Sequence, residues 1–282
     1  MTGRRLGVIA MVACALLLAV ALGGQVVVKR TTTSRVASTP TGHGSPEPSR
    51  PPVRAARPAA RPSGSAKPAT PGRRSPTRPP AAVPSLRTMT GTSAVALTFD
   101  DGPTWIWTRE MLAVLRQHGV KATFCVIGTM ARTYPGRIRQ IAADGHTLCN
   151  HSDDHDYQLG TRSEAEIRAN LQATNDAIRA AVPDARISYF RHPGGAWTPL
   201  AVKVAADLGM TSLHWDVDPH DFDRPGPTVI RDYVMSHTRP GSVVLLHDGG
   251  GDRSETIEAC RQMLPALKDR FQLIPLPPRR SP

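Results

Sequence analysis

Short apolar runs alternate with helical patterns from Ala94 onward, and this alternation limits the fold more than any other feature of the sequence. Seven runs have the length and composition of strands, at 94–99, 121–127, 146–149, 187–190, 211–215, 242–246 and 271–274. Six segments have helical patterns, at 108–118, 135–143, 163–181, 198–208, 227–237 and 254–269. Repeated βα units predict an α/β domain with a parallel sheet. Seven units predict closure into a barrel, with an open doubly wound sheet as the alternative.

Composition divides the chain into three parts. Residues 1–30 begin with two arginines and continue into the apolar run 6–28, which is typical of a signal peptide or an N-terminal membrane anchor. Residues 31–87 are rich in Pro, Ser, Thr and Arg and have no apolar periodicity, so we expect a disordered linker there. Residues 88–282 are long enough for one domain with a substantial core.

The basic character of the chain is concentrated before the predicted domain. Residues 1–87 hold fourteen lysines and arginines and one acid, a net charge of +13, against +12 for the whole chain, so residues 88–282 sum to −1. Arginines before the apolar run favour export of the chain beyond that run, which argues against nucleic acid as a partner. We expect an extracytoplasmic protein, secreted or anchored by residues 6–28. Its basic tail either lies on an anionic cell wall or membrane surface or is a plain soluble spacer.

Three cysteines fall within the predicted domain, at positions 125, 149 and 260. In an oxidising compartment this number is consistent with one disulfide and one free thiol. Cys125 and Cys149 lie in neighbouring predicted strands, which favours them as the pair. Three buried free thiols are the alternative.

Chemically reactive side chains come directly after five of the predicted strands, each at the carboxyl end of its strand. In chain order they are Asp100 and Asp101, His151 and His155, Arg191, then Asp216, Asp218 and Asp221, and finally His247 and Asp248. The parallel strands of a barrel present these ends on one face, where such folds carry their sites. The sequence therefore predicts that these side chains converge.

Asp100 and Asp101 form a pair of adjacent acids directly before Gly-Pro. Adjacent carboxylates repel each other, and holding both near an apolar core is costly unless a cation is present. His151 and His155 have the i, i+4 spacing that places two imidazoles on one side of a helical turn. Two histidines and a carboxylate suit a divalent cation such as zinc, with positions left for water. Solvated acids in a turn and a structural histidine pair are the alternatives.

Five short motifs occur in order along the domain: TFDDGP (98–103), HSDDH (151–155), RHPGG (191–195), DPHDF (218–222) and LLH (245–247). Together they resemble the motifs of polysaccharide deacetylases of the NodB-homology type, carbohydrate esterase family four, over residues 93–275. The resemblance implies an α/β fold that is a distorted, incomplete (β/α) barrel with parallel strands.

The resemblance also implies a role for each matched residue. Asp101, His151 and His155 would hold the divalent metal, expected to be Zn²⁺ with Co²⁺ as the alternative. Asp100 would be the general base for a metal-bound water that attacks the acetyl carbonyl. His247 would be the acid that protonates the departing amine.

Two further residues would support this acid and base. By resemblance, Arg191 would orient Asp100 and keep it ionised, and Asp221 would favour the protonated form of His247. The alternatives are a plain surface salt bridge for Arg191 and a capped core histidine for His247.

Substrate binding would involve residues around these motifs, namely Leu245, Phe222, Pro193, Gly195 and Trp215. Leu245 would line the apolar pocket for the acetyl methyl group. Two positions depart from the family pattern. Phe222 stands where tryptophan is usual, which keeps an apolar wall but loses the indole N–H donor. Gly194 stands where an aromatic residue is common, so the groove wall is expected to be open there.

The sequence therefore predicts a metal-dependent hydrolase that removes N-acetyl groups from GlcNAc-type polysaccharide and acts as a monomer. Peptidoglycan or chitin oligosaccharides are the expected substrates. An O-acetyl xylan esterase is the alternative enzyme, because the same groups cleave esters. An exported glycan-binding protein without catalysis is the other alternative, and the complete set of acids and histidines argues against it.

Overall fold

The structure, a computed structural model, describes residues 86–278, which contain one six-stranded parallel sheet. The strands are β1 (Ala96–Asp100), β2 (Thr123–Val126), β3 (Thr147–Asn150), β4 (Tyr189–Phe190), β5 (Thr211–Ser212) and β6 (Val243–His247). Their spatial order is β5-β4-β3-β2-β1-β6. The segment after β5 returns to β6 through one parallel bridge between Val217 and Val244. This bridge links the two edges of the sheet without closing it, which agrees with the predicted incomplete (β/α) barrel.

Seven α-helices lie between or after these strands within residues 86–278: α1 (Trp107–Gln117), α2 (Gly128–Thr133), α3 (Pro135–Ala143), α4 (Glu164–Ala181), α5 (Pro199–Asp207), α6 (Pro227–His237) and α7 (Ser254–Arg270). Short 3-10 helices lie at Leu159–Thr161, Pro193–Gly195 and Asp221–Asp223. All helices except α2 lie within one residue of their predicted bounds. At the start of α4, Ser163 and Glu166 each accept a hydrogen bond from the other's backbone N–H, which defines the helix end.

Two elements differ from the expectation. The predicted strand 271–274 is wrong, since Leu273 forms only an isolated bridge with Val95. The reason is that β2 and β6 pair with the two edges of β1. Residues 271–274 therefore reach only Val95, which directly precedes β1. Helix α2 was not predicted because only Gly128 and Ala131 of its residues are buried, which leaves little apolar periodicity.

The side chains of β1 alternate between two layers. Leu97 and Phe99 belong to the large core between the sheet and the helices, whereas Ala96 packs with the disulfide inside the barrel. Because successive side chains of a strand point to opposite faces, Asp100 shares the inner face with Ala96. The strand period therefore directs the first acid into the barrel at its carboxyl end.

The predicted signal or anchor, residues 1–30, and the predicted linker up to residue 85 lie outside the described residues, so both stay predictions. Within residues 86–278, no helix is long and apolar enough to cross a membrane. Near the predicted start of the domain, Arg87 forms a bridge with Leu213 and Met89 forms one with Ser242.

Cys125 and Cys149 form a disulfide, which confirms the favoured pairing. They are register partners in β2 and β3, and both are fully buried. Cys260 is a buried free thiol in α7, and burial raises its pKa above the usual range. The bridge therefore joins two neighbouring strands on the inner face of the barrel.

Removing this disulfide is expected to lower the free energy of unfolding by about 3–4 kcal/mol, because the bridge closes a sequence separation of 24 residues in the unfolded chain. Urea unfolding of Cys125→Ala/Cys149→Ala against the wild type, both without reductant, measures the difference. Adding reductant should lower the wild-type midpoint and leave that of the variant unchanged. Equal midpoints for the two untreated proteins would contradict the prediction.

Candidate active site

The carboxyl ends of the strands meet at one pocket of about 540 Å³. Asp100 at the end of β1 is the register partner of His247 at the end of β6. Asp101, His151 and His155 line the same pocket, because they come shortly after the ends of β1 and β3. The structure therefore brings together most of the acids and histidines that the sequence predicted to converge. Asp216 and Asp248 do not line the pocket: Asp216 accepts hydrogen bonds from Ser242 and Val243, and Asp248 accepts one from Thr108.

Asp101, His151 and His155 form a compact cluster whose ligand atoms lie within 4.8 Å of one another. The Nε2 atoms of His151 and His155 lie 3.4 and 3.1 Å from Asp101 Oδ1. Burial acts to raise the pKa of Asp101, but the two imidazoles outweigh it and hold that pKa well below its usual range. Burial acts to lower the pKa of His151, but the carboxylates of Asp100 and Asp101 outweigh it and raise that pKa. The cluster therefore favours a positive charge among these groups.

A divalent cation fits this cluster. His151 Nδ1 lies 2.8 Å from the Arg191 carbonyl oxygen, so Nδ1–H donates there and Nε2 is left as the nitrogen that would ligate a cation. Asp101 Oδ1 is buried and has no hydrogen-bond partner among residues 86–278. Ligand atoms about 2.0–2.2 Å from a tetrahedral zinc ion lie about 3.4 Å apart, close to both measured separations. A buried carboxylate oxygen without a hydrogen bond and the two imidazole nitrogens that face it form a donor set suited to zinc.

The backbone around the cluster is held in unusual conformations. The φ angles of Asp101, Ser152 and His155 are 73°, 66° and 58°, in the left-handed region that non-glycine residues rarely adopt. Such strain concentrates at functional sites, where the surrounding structure enforces it. Gly249 and Gly250 pack so closely on Asp101 that a Cβ on either would collide with it. This glycine loop after β6 therefore fixes the position of the Asp101 carboxylate.

Asp100 is held by a buried ion pair. Arg191 Nη1 donates to Asp100 Oδ1 at 2.7 Å, and Arg191 is fully buried, which excludes a plain surface salt bridge. The guanidinium also donates to the His214 carbonyl oxygen at 3.3 Å and lies 5.6 Å from the centre of the Trp215 ring. With Oδ1 engaged, Asp100 Oδ2 faces the cluster, 3.5 Å from His151 Nε2. One oxygen of Asp100 is therefore available to accept a proton.

His247 is paired with a fully buried acid, Asp221. His247 Nδ1 lies 2.6 Å from Asp221 Oδ1, and the His247 backbone N–H donates to Asp221 Oδ2 at 2.9 Å. Thr256 Oγ1 also donates to Asp221 Oδ2, at 2.7 Å. Burial acts to lower the pKa of His247, but Asp221 outweighs it and raises that pKa to about 9. His247 therefore carries a proton at neutral pH, and Nε2–H remains as its second donor.

Comparison with known proteins places this arrangement in a family. Residues 87–213 match the family model described as Polysaccharide deacetylase. The chitooligosaccharide deacetylase of Sinorhizobium fredii is 39% identical over 198 residues, which cover 67% of this chain and 92% of that protein. The chain belongs to the polysaccharide deacetylase family.

Other members of the polysaccharide deacetylase family are similar at comparable levels. A peptidoglycan-N-acetylglucosamine deacetylase of Bacillus cereus is 34% identical over 176 residues, covering 62% of this chain and 81% of that protein. A solved structure of a pseudoenzyme of carbohydrate esterase family four from Bacillus anthracis is 32% identical, with a TM-score of 0.61, covering 67% of this chain and 66% of that one. These likenesses confirm the resemblance and the fold class. Because the family includes a pseudoenzyme, catalysis has to be argued from this chain's own side chains.

Three of the five predicted substrate-binding residues line the pocket of this polysaccharide deacetylase family member: Leu245, Phe222 and Trp215. Phe222 is 42% exposed, and its ring centre lies 5.6 Å from that of His247. Pro193 and Gly195 are not among the lining residues. Pro193 is buried, and Gly195 lies beneath the Trp215 ring, whose Cη2 is 2.9 Å from the place of a Cβ. The structure therefore places Gly195 behind the wall that Trp215 forms and Pro193 in the protein interior.

The expectation of an open wall at Gly194 is wrong. Gly194 does line the pocket, but the ring of Tyr157 occupies the space beside it. Ring carbons Cδ1 and Cε1 of Tyr157 lie 2.6 Å from the place of a Cβ on Gly194. An aromatic wall is therefore present in this member of the polysaccharide deacetylase family, supplied by the loop after β3.

Tyr157 is the pocket residue that the sequence reasoning missed. It lies two residues after His155 as a lone aromatic side chain in a polar loop, and this was the available signal. Other residues also line the pocket, namely His192, Asp218, His220 and Arg253, and the first three of these lie within the third and fourth motifs. The sequence motifs of the polysaccharide deacetylase family thus identify the chemical groups better than the walls around them.

Proposed function

We propose that this chain is a metal-dependent hydrolase that removes N-acetyl groups from GlcNAc-type polysaccharide. One observation carries the proposal: a single pocket holds a cluster suited to a cation, flanked by an Asp100–Arg191 pair and a His247–Asp221 pair. Amide hydrolysis needs a base for the attacking water and an acid for the leaving amine. The two pairs place a carboxylate that can accept a proton next to an imidazole that can donate one.

Asp101, His151 and His155 would hold the metal, and nitrogen and carboxylate ligands suit Zn²⁺, with Co²⁺ as an alternative. A divalent cation bound there would lower the pKa of a water molecule and polarise the acetyl carbonyl. Asp100 takes the proton of the attacking water on Oδ2, because Arg191 occupies its Oδ1. Arg191 keeps this carboxylate in one orientation and compensates its charge in a buried site.

His247 gives its Nε2 proton to the departing amine. Asp221 binds Nδ1–H and the backbone N–H of His247, which fixes the ring orientation and stabilises the imidazolium. Leu245 lines the pocket beside these groups and provides an apolar contact for the acetyl methyl group. Trp215 and Phe222 provide aromatic surface for the sugar.

The named relatives support the substrate class. One acts on chitooligosaccharide and another on peptidoglycan N-acetylglucosamine, as their names state. We therefore propose chitin oligosaccharides or peptidoglycan as substrates, with a monomer as the active unit. The apolar run 6–28 and the basic linker support an extracytoplasmic location, with the linker lying on an anionic wall or membrane surface.

Removing the metal is expected to abolish acetate release from chitopentaose, and Zn²⁺ or Co²⁺ is expected to restore it. The physical reason is that three side chains of the cluster are arranged for a cation and none of them replaces it as an electrophile. Acetate release by the full chain is measured before chelation, after chelation, and after the metal is returned. Acetylated xylan is tested in parallel.

Three results would contradict the proposal. Acetate release that continues after complete metal removal would exclude the metal-dependent mechanism. Faster release from acetylated xylan than from chitopentaose would identify an O-acetyl esterase instead. Binding of chitopentaose without acetate release by the metal-loaded protein would identify a glycan-binding protein.

A further inference from the structure

Two consecutive glycines of the third motif each lie beneath an aromatic ring. Gly194 and Gly195 have φ angles of 59° and 64°, in the left-handed region that favours glycine. The Tyr157 ring lies against Gly194 and the Trp215 ring lies against Gly195, at 2.6 and 2.9 Å from the places of the missing Cβ atoms. A side chain at either glycine would therefore collide with the aromatic ring that now packs against it.

Tyr157 is largely exposed to solvent. Its side chain belongs to the large apolar residues at the surface, with 58% of the residue accessible. Its ring packs edge-on against His155 at 4.9 Å and lines the pocket. Its hydroxyl makes no hydrogen bond to any residue between 86 and 278 in the structure. A ring so placed presents apolar surface and a free hydroxyl to whatever occupies the pocket.

Resting on the proposed function, we propose that Tyr157 binds the substrate by packing its ring on a pyranose, with Gly194 providing the space that positions the ring. A pyranose has an apolar face of C–H groups and hydroxyls around its edge. The exposed ring can pack on the C–H face, and the free Tyr157 hydroxyl can hydrogen-bond with the sugar hydroxyls. The contact with His155 places this ring beside the cation cluster, where the acetylated sugar has to lie.

Because the Tyr157 ring packs against Gly194, a substitution at either residue tests the inference. Tyr157→Ala removes the ring, whereas Gly194→Ala adds a Cβ that displaces it. Each is expected to raise KM for chitopentaose about tenfold and to change kcat by no more than about twofold, because the ring binds the ground state and the transition state alike. Gly194→Ala in the Tyr157→Ala background is expected to raise KM much less than it does in the wild type, because the ring it displaces is gone and only the backbone strain at φ 59° remains.

Three controls accompany these variants. Tyr157→Phe keeps the ring and is expected to raise KM about threefold through loss of the hydroxyl. Tyr233→Ala removes an exposed tyrosine of α6 that is not among the pocket-lining residues and is expected to leave KM unchanged. For 4-nitrophenyl acetate, which has no sugar, Tyr157→Ala is expected to keep wild-type kcat/KM. Thermal unfolding and metal content are measured for every variant.

The outcomes separate this inference from the function it rests on. If the metal-loaded wild type releases no acetate from chitopentaose, both the proposed function and this inference fall. If the wild type is active and Tyr157→Ala keeps its KM, this inference alone is overturned. Equal losses on chitopentaose and on 4-nitrophenyl acetate also overturn it, because the ring would then act on the cluster rather than on the sugar.

Discussion

Asp100→Asn is expected to lower kcat/KM for acetate release about 1,000-fold while the metal content stays at the wild-type level. Asparagine keeps an oxygen that accepts from Arg191 Nη1, so the buried contact at 2.7 Å is retained. The other position becomes an NH₂ group, which is unable to accept a proton from water. The metal is retained because its three ligands, Asp101, His151 and His155, are unchanged. Steady-state kinetics and metal analysis of the same preparation measure the two quantities.

Asp218→Asn is the matched control for this variant. Asp218 lines the same pocket and loses the same charge, but it is not part of the metal cluster. Its carboxylate accepts the His220 backbone N–H, which an asparagine also allows. Its kcat/KM is expected to stay within about fivefold of the wild type. Loss of metal from Asp100→Asn would identify Asp100 as a ligand, and activity within about tenfold of wild type would exclude it as the base.

Asp221→Asn is expected to reduce kcat about 100-fold and to move the alkaline limb of the pH–rate profile to lower pH by at least about one unit. Asp221 raises the pKa of His247 to about 9 against the effect of burial. An acid catalyst is active below its pKa, so the wild-type rate falls as pH rises through that value. A cation bound at Asp101 would lower the pKa of His247 from about 9 by charge repulsion, so this limb is expected somewhat below that value. Replacing the Asp221 carboxylate removes the charge that favours the imidazolium, and the limb moves down.

Thr256→Val separates the charge of Asp221 from its positioning. It removes the hydroxyl that donates to Asp221 Oδ2 at 2.7 Å and keeps the carboxylate charge. The alkaline limb is therefore expected to stay close to its wild-type position, with kcat reduced by no more than about fivefold. The kcat–pH profiles of Asp221→Asn and Thr256→Val distinguish the effect of the Asp221 charge from the effect of its position. An unshifted limb in Asp221→Asn would show that His247 is not the group titrating there.

The sequence identified the chemical groups because strand ends and motifs are local features. Asp100, Asp101, His151, His155 and His247 are located by the points at which apolar runs stop. The Cys125–Cys149 pair was predicted because consecutive strands of a parallel βα domain commonly lie side by side in the sheet. Helix bounds were close because prolines and caps mark them, as Pro135 and Ser163 do.

Packing between distant segments was harder to predict. The segment 271–274 looked like a strand, but whether β1 had a free edge depended on β6 pairing with it. The wall over Gly194 comes from Tyr157, in a different loop, and a missing side chain gives no indication of which neighbour fills its space. Strands β4 and β5 have two residues each and are shorter than the predicted strands 187–190 and 211–215. Their ends are set by hydrogen bonding to the neighbouring strands, which the pattern of apolar residues does not show.

The pairing of β1 with β6 has a consequence for biosynthesis. The cation ligands come from the first half of the folded domain, whereas His247 and Thr256 come from its last part. A growing chain therefore contains the groups that would bind metal well before it contains the proton donor. Chains truncated before Val243 are expected to lack hydrolytic competence altogether, so catalysis can begin only once synthesis and folding of the domain are nearly complete.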